Sequence, residues 1–243
     1  MVAHDDIAFY RASERIAPDA RCEERERLLD LLEIEPHHVV CDVPAWGGYL
    51  ARGISDPSRV ICLDSTAGIV HCPGSKIIQC SMNGRLSLRD GTVDRVGSLV
   101  GLHHLFDRSK FLHETYRILR FGGILALAEV AEGSKVAAFL NGPVHEYSYR
   151  GHRGTFLKTG ELTAMISGVG FSWCSERLVP LQWQFDSHEQ MVLYCKTLFQ
   201  LTKASEDQVA RLIEEHFDVT MKGDATTIDW ALIYGAGRKQ GSR

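Results

Sequence analysis

Short apolar runs alternate with amphipathic stretches through the first 130 residues of the chain. The segment 19–33 sets Leu28, Leu29, Leu31 and Leu32 among many charges, which predicts a helix with one buried side. Runs rich in Val, Ile, Leu and Cys predict strands at 38–43, 59–63, 76–80 and 93–100. A short helix over 49–54 follows the first of them. Residues 109–119 form a longer helix, placing Phe111, Leu112, Thr115, Ile118 and Leu119 on one face. Arg120-Phe121-Gly122-Gly123 breaks it, and 124–130 is a fifth apolar strand. Buried strands alternating with helices predict a mostly parallel α/β sheet covered on both faces.

The pattern changes beyond residue 131. Residues 132–159 are rich in Gly, His and Tyr without a clean period, which predicts a long functional loop or lid. Thr159 is the expected N-cap of a helix opening at Gly160-Glu161-Leu162 and ending near Gly168-Val169-Gly170. A strand is expected at 171–181, helices at 187–201 and 205–216, and a last strand at 229–235 before a basic tail at Arg238-Lys239. The segment 182–225 therefore reads as a helical insertion before the last strand. In its first helix Met191, Tyr194, Cys195, Leu198 and Phe199 recur at helical spacing, as core or lid surface or, alternatively, as an oligomer interface. With no internal repeat and no linker, one domain is expected over 1–243, with a homodimer as the assembly to test.

Composition narrows the function classes. A chain of 243 residues with 44% apolar content can bury a large core. Its net charge of −4, with signs mixed, argues against nucleic acid as a partner. The seven cysteines are scattered without a CxxC pair, so reduced core thiols in a cytoplasmic protein are expected. Met1 to Asp6 is polar and unlike a signal peptide, and no apolar run approaches the ~18 residues a membrane span needs.

The candidate chemistry centres on Val39-Val40-Cys41-Asp42-Val43-Pro44-Ala45-Trp46-Gly47-Gly48-Tyr49-Leu50, where a strand ends in an acid and a small-residue turn follows. Such a turn brings backbone close to a nucleotide-like ligand. Asp64 closes the second strand, at the strand end where open sheets bind ligands, and a carboxylate there can accept two ribose hydroxyls. Set in order with the segments 90–105 and 112–123 and the ending 229–239, these elements resemble the class I S-adenosylmethionine-dependent methyltransferases, in particular the small-molecule branch. The resemblance covers about residues 25–180 plus the final strand. It implies a Rossmann-like seven-stranded sheet and S-adenosyl-L-methionine as cofactor, with Asp42, Trp46, Gly48, Asp64, Ser65, Ser81, Met82 and Leu99 around it.

The turn departs from the family's acid-x-Gly-x-Gly-x-Gly pattern. Pro44 removes an N–H donor, Trp46 puts a large ring where the family keeps space, and only Gly48 stands in register. After the third strand Cys80-Ser81-Met82-Asn83 offers no acid for an adenine amino group, leaving Ser81 or Asn83 as neutral partners. His103 and His104 follow the fourth strand, and His145, Tyr147, Tyr149 and His152 crowd the expected lid. A general base would come from His103, His104, His145 or Tyr147. His145, His152, Glu129 and Glu146 are metal-ligand types, but without HxH or HExxH spacing no metal is expected. Three readings stand open: methyl transfer to a small metabolite, a repurposed fold catalysing cyclisation, rearrangement or elimination, and a non-catalytic partner subunit.

Overall fold

The computed structural model describes residues 4–65 and 72–241. Helix α1 (His4–Ile16) and helix α2 (Cys22–Leu32) precede strand β1 (Val40–Asp42). Strands β2 (Val60–Asp64), β3 (Lys76–Gln79) and β4 (Val93–Leu99) follow, then helix α3 (Arg108–Ile118) and strand β5 (Leu119–Glu129). Next come the short helices α4 (Lys135–Phe139) and α5 (His145–Tyr147), helix α6 (Glu161–Val169) and the long strand β6 (Phe171–Phe185). Helices α7 (His188–Leu198) and α8 (Glu206–His216) lead to a hairpin of β7 (Val219–Lys222) and β8 (Ala225–Lys239).

The strands form one eight-stranded sheet in the order β3-β2-β1-β4-β5-β8-β6, with β7 paired to β8 off that path. The first five run parallel, while β8 lies antiparallel between β5 and β6. The expected α/β, Rossmann-like, mostly parallel sheet is therefore present, with β7 as an added strand. Alternation along β5 shows how both faces are filled. Ala126, Ala128 and Val130 belong to one apolar cluster with Leu28 and Leu32 of α2, whereas Leu125 and Leu127 belong to another with Phe111, Leu112 and Ile118 of α3. All seven cysteines are free, and five are buried. No described helix is long and apolar enough to cross a membrane.

Several sequence expectations need correction. The segment 132–159 is not one loop: Ser134 caps α4 by accepting the Ala137 N–H, and Leu140–Val144 continues as a π-helical turn into α5. Residues 132–134 and 148–160 are largely irregular, apart from a bridge at Leu157. Gly160, at φ +84°, caps α6 in place of Thr159, because the left-handed turn there suits glycine. The expected helix at 49–54 shrinks to a 3₁₀ turn, Ala51–Gly53. Helix α2 begins at Cys22, later than predicted, and the expected helical insertion 182–225 holds the end of β6 and all of β7 as well. Arg238 and Lys239 form no tail. They end β8, and Lys239 is buried with its ammonium donating to the carbonyls of Tyr116 and Leu119. Residues 1–3 of the polar N-terminus lie outside the described residues, and His4–Asp6 begin α1.

Candidate active site

At the ends of β1 and β2 the chain meets its own polar groups. The Asp42 carboxylate accepts the Ala51 N–H at 3.1 Å and is buried, and that burial pushes its pKa well above the usual carboxylate range. Asp64, also buried, accepts the Trp46 N–H at 3.0 Å, and its neighbour Ser65 sits at 3.4 Å from the other carboxylate oxygen. The turn between them is unusual: Trp46, Gly47 and Gly48 all have positive φ, at 44°, 81° and 87°. Glycine adopts that conformation freely, but a tryptophan does so only under constraint from its surroundings. Pro44 supplies part of that constraint. A Cβ added at Gly101 would lie 2.7 Å from its ring, so the loop after β4 packs directly on the turn.

The ends of β4 and β5 are open by contrast. A cavity of about 410 Å³ begins there, walled by Trp46, Leu99, Val100, His103, His104 and Val130. Val100, a β-branched residue held at φ +53°, and Gln200 at φ +54° also line it. Trp46, Val100 and Gln200 are thus strained backbone positions gathered on one cavity, a pattern typical of functional sites.

Glu129 is the buried acid of this half. Its carboxylate lies 2.7 Å from His103 Nδ1 and accepts the N–H groups of His103 and Val130 at 3.1 and 2.8 Å. Burial alone would raise its pKa, but the His103 ring and these hydrogen bonds outweigh burial and hold it below the usual range. An ionised Glu129 only accepts, so His103 Nδ1 carries a proton, and Nε2 is the ring nitrogen that the acid does not engage. His104 stacks obliquely beside His103 with ring centres 3.9 Å apart, and Trp46 lies 5.1 Å from His104. Desolvation by the surrounding protein, then His103 and His152, keep His104 well below its ordinary value. His152 is lowered to about 4 by burial first and by His103 second.

The far wall comes from residues that sequence reasoning missed. Arg21 donates from Nε to Glu24 at 2.8 Å, and Trp183 Nε1 donates to the other Glu24 oxygen at 2.8 Å. Glu24 is wholly buried, and the Arg21 guanidinium lies over the rings of Tyr10, Tyr49 and Trp183. Trp183 stacks on Trp230 at 4.1 Å, and both reach the cavity with Phe199. The spacing of Arg21 and Glu24 was visible in the sequence, but on a charged helix it reads as a solvated pair.

The sequence-predicted residues thus separate into those at the cavity, those in the turn beside it and those that lie apart from both. Trp46, Leu99, His103 and His104 meet at the cavity. Asp42, Gly48 and Asp64 lie in the closed turn beside it. Ser65 is half-buried, Ser81 exposed, and Met82 packed in the core beneath β4. His145 Nδ1 accepts the His152 N–H at 3.1 Å, so it supports the loop and does not line the cavity. Tyr147 packs at the core edge, its carbonyl accepting the Lys203 N–H.

Residues 26–141 match a protein family described as hypothetical methyltransferase. A demethylmenaquinone methyltransferase of Lactiplantibacillus plantarum is 30% identical over 102 residues, and the match spans 38% of this chain and 43% of that protein. The chain thus covers less than half the length of that curated relative. Among solved structures, BH2331 of Bacillus halodurans C-125 superposes with a TM-score of 0.62 at 19% identity, over 90% of this chain and 100% of that one. A SAM-dependent methyltransferase of Thermotoga maritima gives 0.60 at 19% identity, over 95% and 94%. Strand order and superposition agree on the Rossmann-like fold of these methyltransferases, and residues 26–141 carry the match to the methyltransferase family model.

Proposed function

We propose that this protein transfers a methyl group from S-adenosylmethionine to a small, planar acceptor bearing an ionisable hydroxyl or enol. The observation that carries the reading is the Glu129–His103 pair, a buried carboxylate orienting an imidazole whose Nε2 is left for a cavity ligand. The named quinone methyltransferase among the relatives is in keeping with such an acceptor.

The residues suit the cofactor in kind. Trp46 Nε1 is buried without a hydrogen-bond partner and would serve a carboxylate, and aromatic rings around a cavity favour a sulfonium cation. Asp64 stands at the strand end that would meet the ribose, in competition with the Trp46 N–H it now accepts. When bound, the cofactor supplies an electrophilic methyl group on sulfonium. His103 Nε2 takes the acceptor's proton, and Glu129 steadies the imidazolium that results. Trp183, Trp230 and Phe199 hold the acceptor plane, so that positioning supplies most of the acceleration.

Calorimetric titration with S-adenosylmethionine and S-adenosylhomocysteine tests the reading. Micromolar binding that Asp64→Ala abolishes is the expected result. No binding to the native protein, with binding gained by Trp46→Gly, would favour the repurposed fold, in which the Trp46 turn has closed the cofactor crevice.

A further inference from the structure

His103, His104 and His152 bring ligand nitrogens within 4.8 Å of one another on one side of the cavity. No spacing motif announces this cluster, because two members follow β4 and the third comes from the irregular segment after α5. The hydrogen bonds behind the rings decide which nitrogens are available. Ionised Glu129 holds His103 Nδ1–H at 2.7 Å, leaving Nε2 as the ligand atom. Asn141 fixes His152 in the same way. Its Oδ1 accepts the Gly154 N–H at 2.8 Å and its Nδ2 donates to the Gly154 carbonyl at 2.9 Å, which settles the amide's orientation. The same Oδ1 lies 3.2 Å from His152 Nδ1, so that nitrogen carries the proton and His152 Nε2 is free to coordinate.

We propose that His103, His104 and His152 form a three-histidine site for a divalent first-row transition-metal ion, with Glu129 and Asn141 as the oxygen acceptors that orient two of its ligands. Metal-binding histidines characteristically donate the second ring N–H to a carboxylate or amide oxygen, and both partners are in place before any ion arrives. Imidazole ligands select zinc, iron, copper or nickel over magnesium and calcium. Metal–nitrogen bonds of about 2.0–2.1 Å put tetrahedral ligand nitrogens roughly 3.3 Å apart, so modest ring rotation closes the cluster. The fourth position then faces the cavity, where water or an acceptor oxygen completes it.

Ion binding needs neither cofactor nor acceptor, so it can be tested independently of the methyl-transfer reading, although both use His103 Nε2. A proton and an ion compete for the same His103 Nε2 pair, so turnover with a chelator present reports on the base alone.

The test is titration of the cofactor-free protein with Zn²⁺ and with Co²⁺, followed by calorimetry and visible absorption. It is run in a His37→Ala background, because Glu35, His37 and His38 form a second, surface group of ligand atoms. One equivalent should bind, with a cobalt spectrum of imidazole coordination. His104→Ala and His152→Ala should each weaken binding by roughly 100-fold or more, and Asn141→Ala by about 10-fold. His152→Cys should retain the ion and add a thiolate-to-cobalt band, a signal that misfolding cannot produce. Unchanged affinity in both alanine variants, absence of binding to the His37→Ala protein, or no thiolate band in His152→Cys would each overturn the site.

Discussion

The two halves of the crevice differ in who satisfies their polar groups. At the ends of β1 and β2, Asp42 and Asp64 are buried and accept N–H groups from the turn itself. At the ends of β4 and β5, Glu129 is equally buried, yet its partner His103 opens onto a cavity. The first half carries the family-like motif, and among the described residues its acids are met by the chain itself. The second carries little motif and is poised for a ligand. A ligand entering the first half must displace the Trp46 N–H, whereas one entering the second finds its donors and acceptors already aimed.

The largest expected effect lies beneath the open half. Glu24→Leu leaves the Arg21 guanidinium buried without its carboxylate and should cost about 3–5 kcal/mol, read by denaturant unfolding. A loss well under 1 kcal/mol would mean that Arg21 reaches water and the wall is soft. Glu129→Gln comes next, since it keeps the shape but removes the charge that sets the His103 tautomer. Turnover should fall at least about 100-fold with cofactor affinity little changed, measured by steady-state kinetics alongside calorimetry. Trp46→Gly should act on the first half: glycine accepts φ +44° without strain, but the variant loses the Nε1 donor, and S-adenosylhomocysteine binding should weaken about 10-fold by calorimetry.

The smallest effect is a pH dependence. His152 titrates near 4 in the fold, against 6.5 for an unperturbed histidine. An unfolded chain therefore takes up the proton first, and the stability due to neutral His152 is present above 6.5 and lost as pH falls toward about 4. Thermal melts of the native protein and His152→Gln should converge over that window. Parallel curves would place His152 in water.

Legibility in the sequence followed the same division. The parallel strands could be read because both faces are buried, and α7 and α8 because Ser187 and Ser205 cap them through the N–H groups of Gln190 and Gln208. Asp42 and Asp64 could be named because acids at strand ends carry a local signal. The helices within 132–159 were obscured by Gly142 and Pro143, which sit inside the π-helical turn that sequence patterns rarely announce. Strand β7 was missed because it is a largely exposed edge with no alternation to detect. The Arg21–Glu24–Trp183 wall and the meeting of His152 with His103 were out of reach, since each depends on residues brought together by the sheet from distant parts of the chain.

The claim that binding and chemistry reside in separate halves is tested most directly by titrating S-adenosylhomocysteine into His103→Ala and Asp64→Ala, with turnover measured on both. The account predicts that His103→Ala binds like the native protein while losing turnover, and that Asp64→Ala loses binding. Binding lost in His103→Ala but kept in Asp64→Ala would contradict it, placing the cofactor in the open cavity and leaving the Asp42–Gly48 turn as scaffold alone.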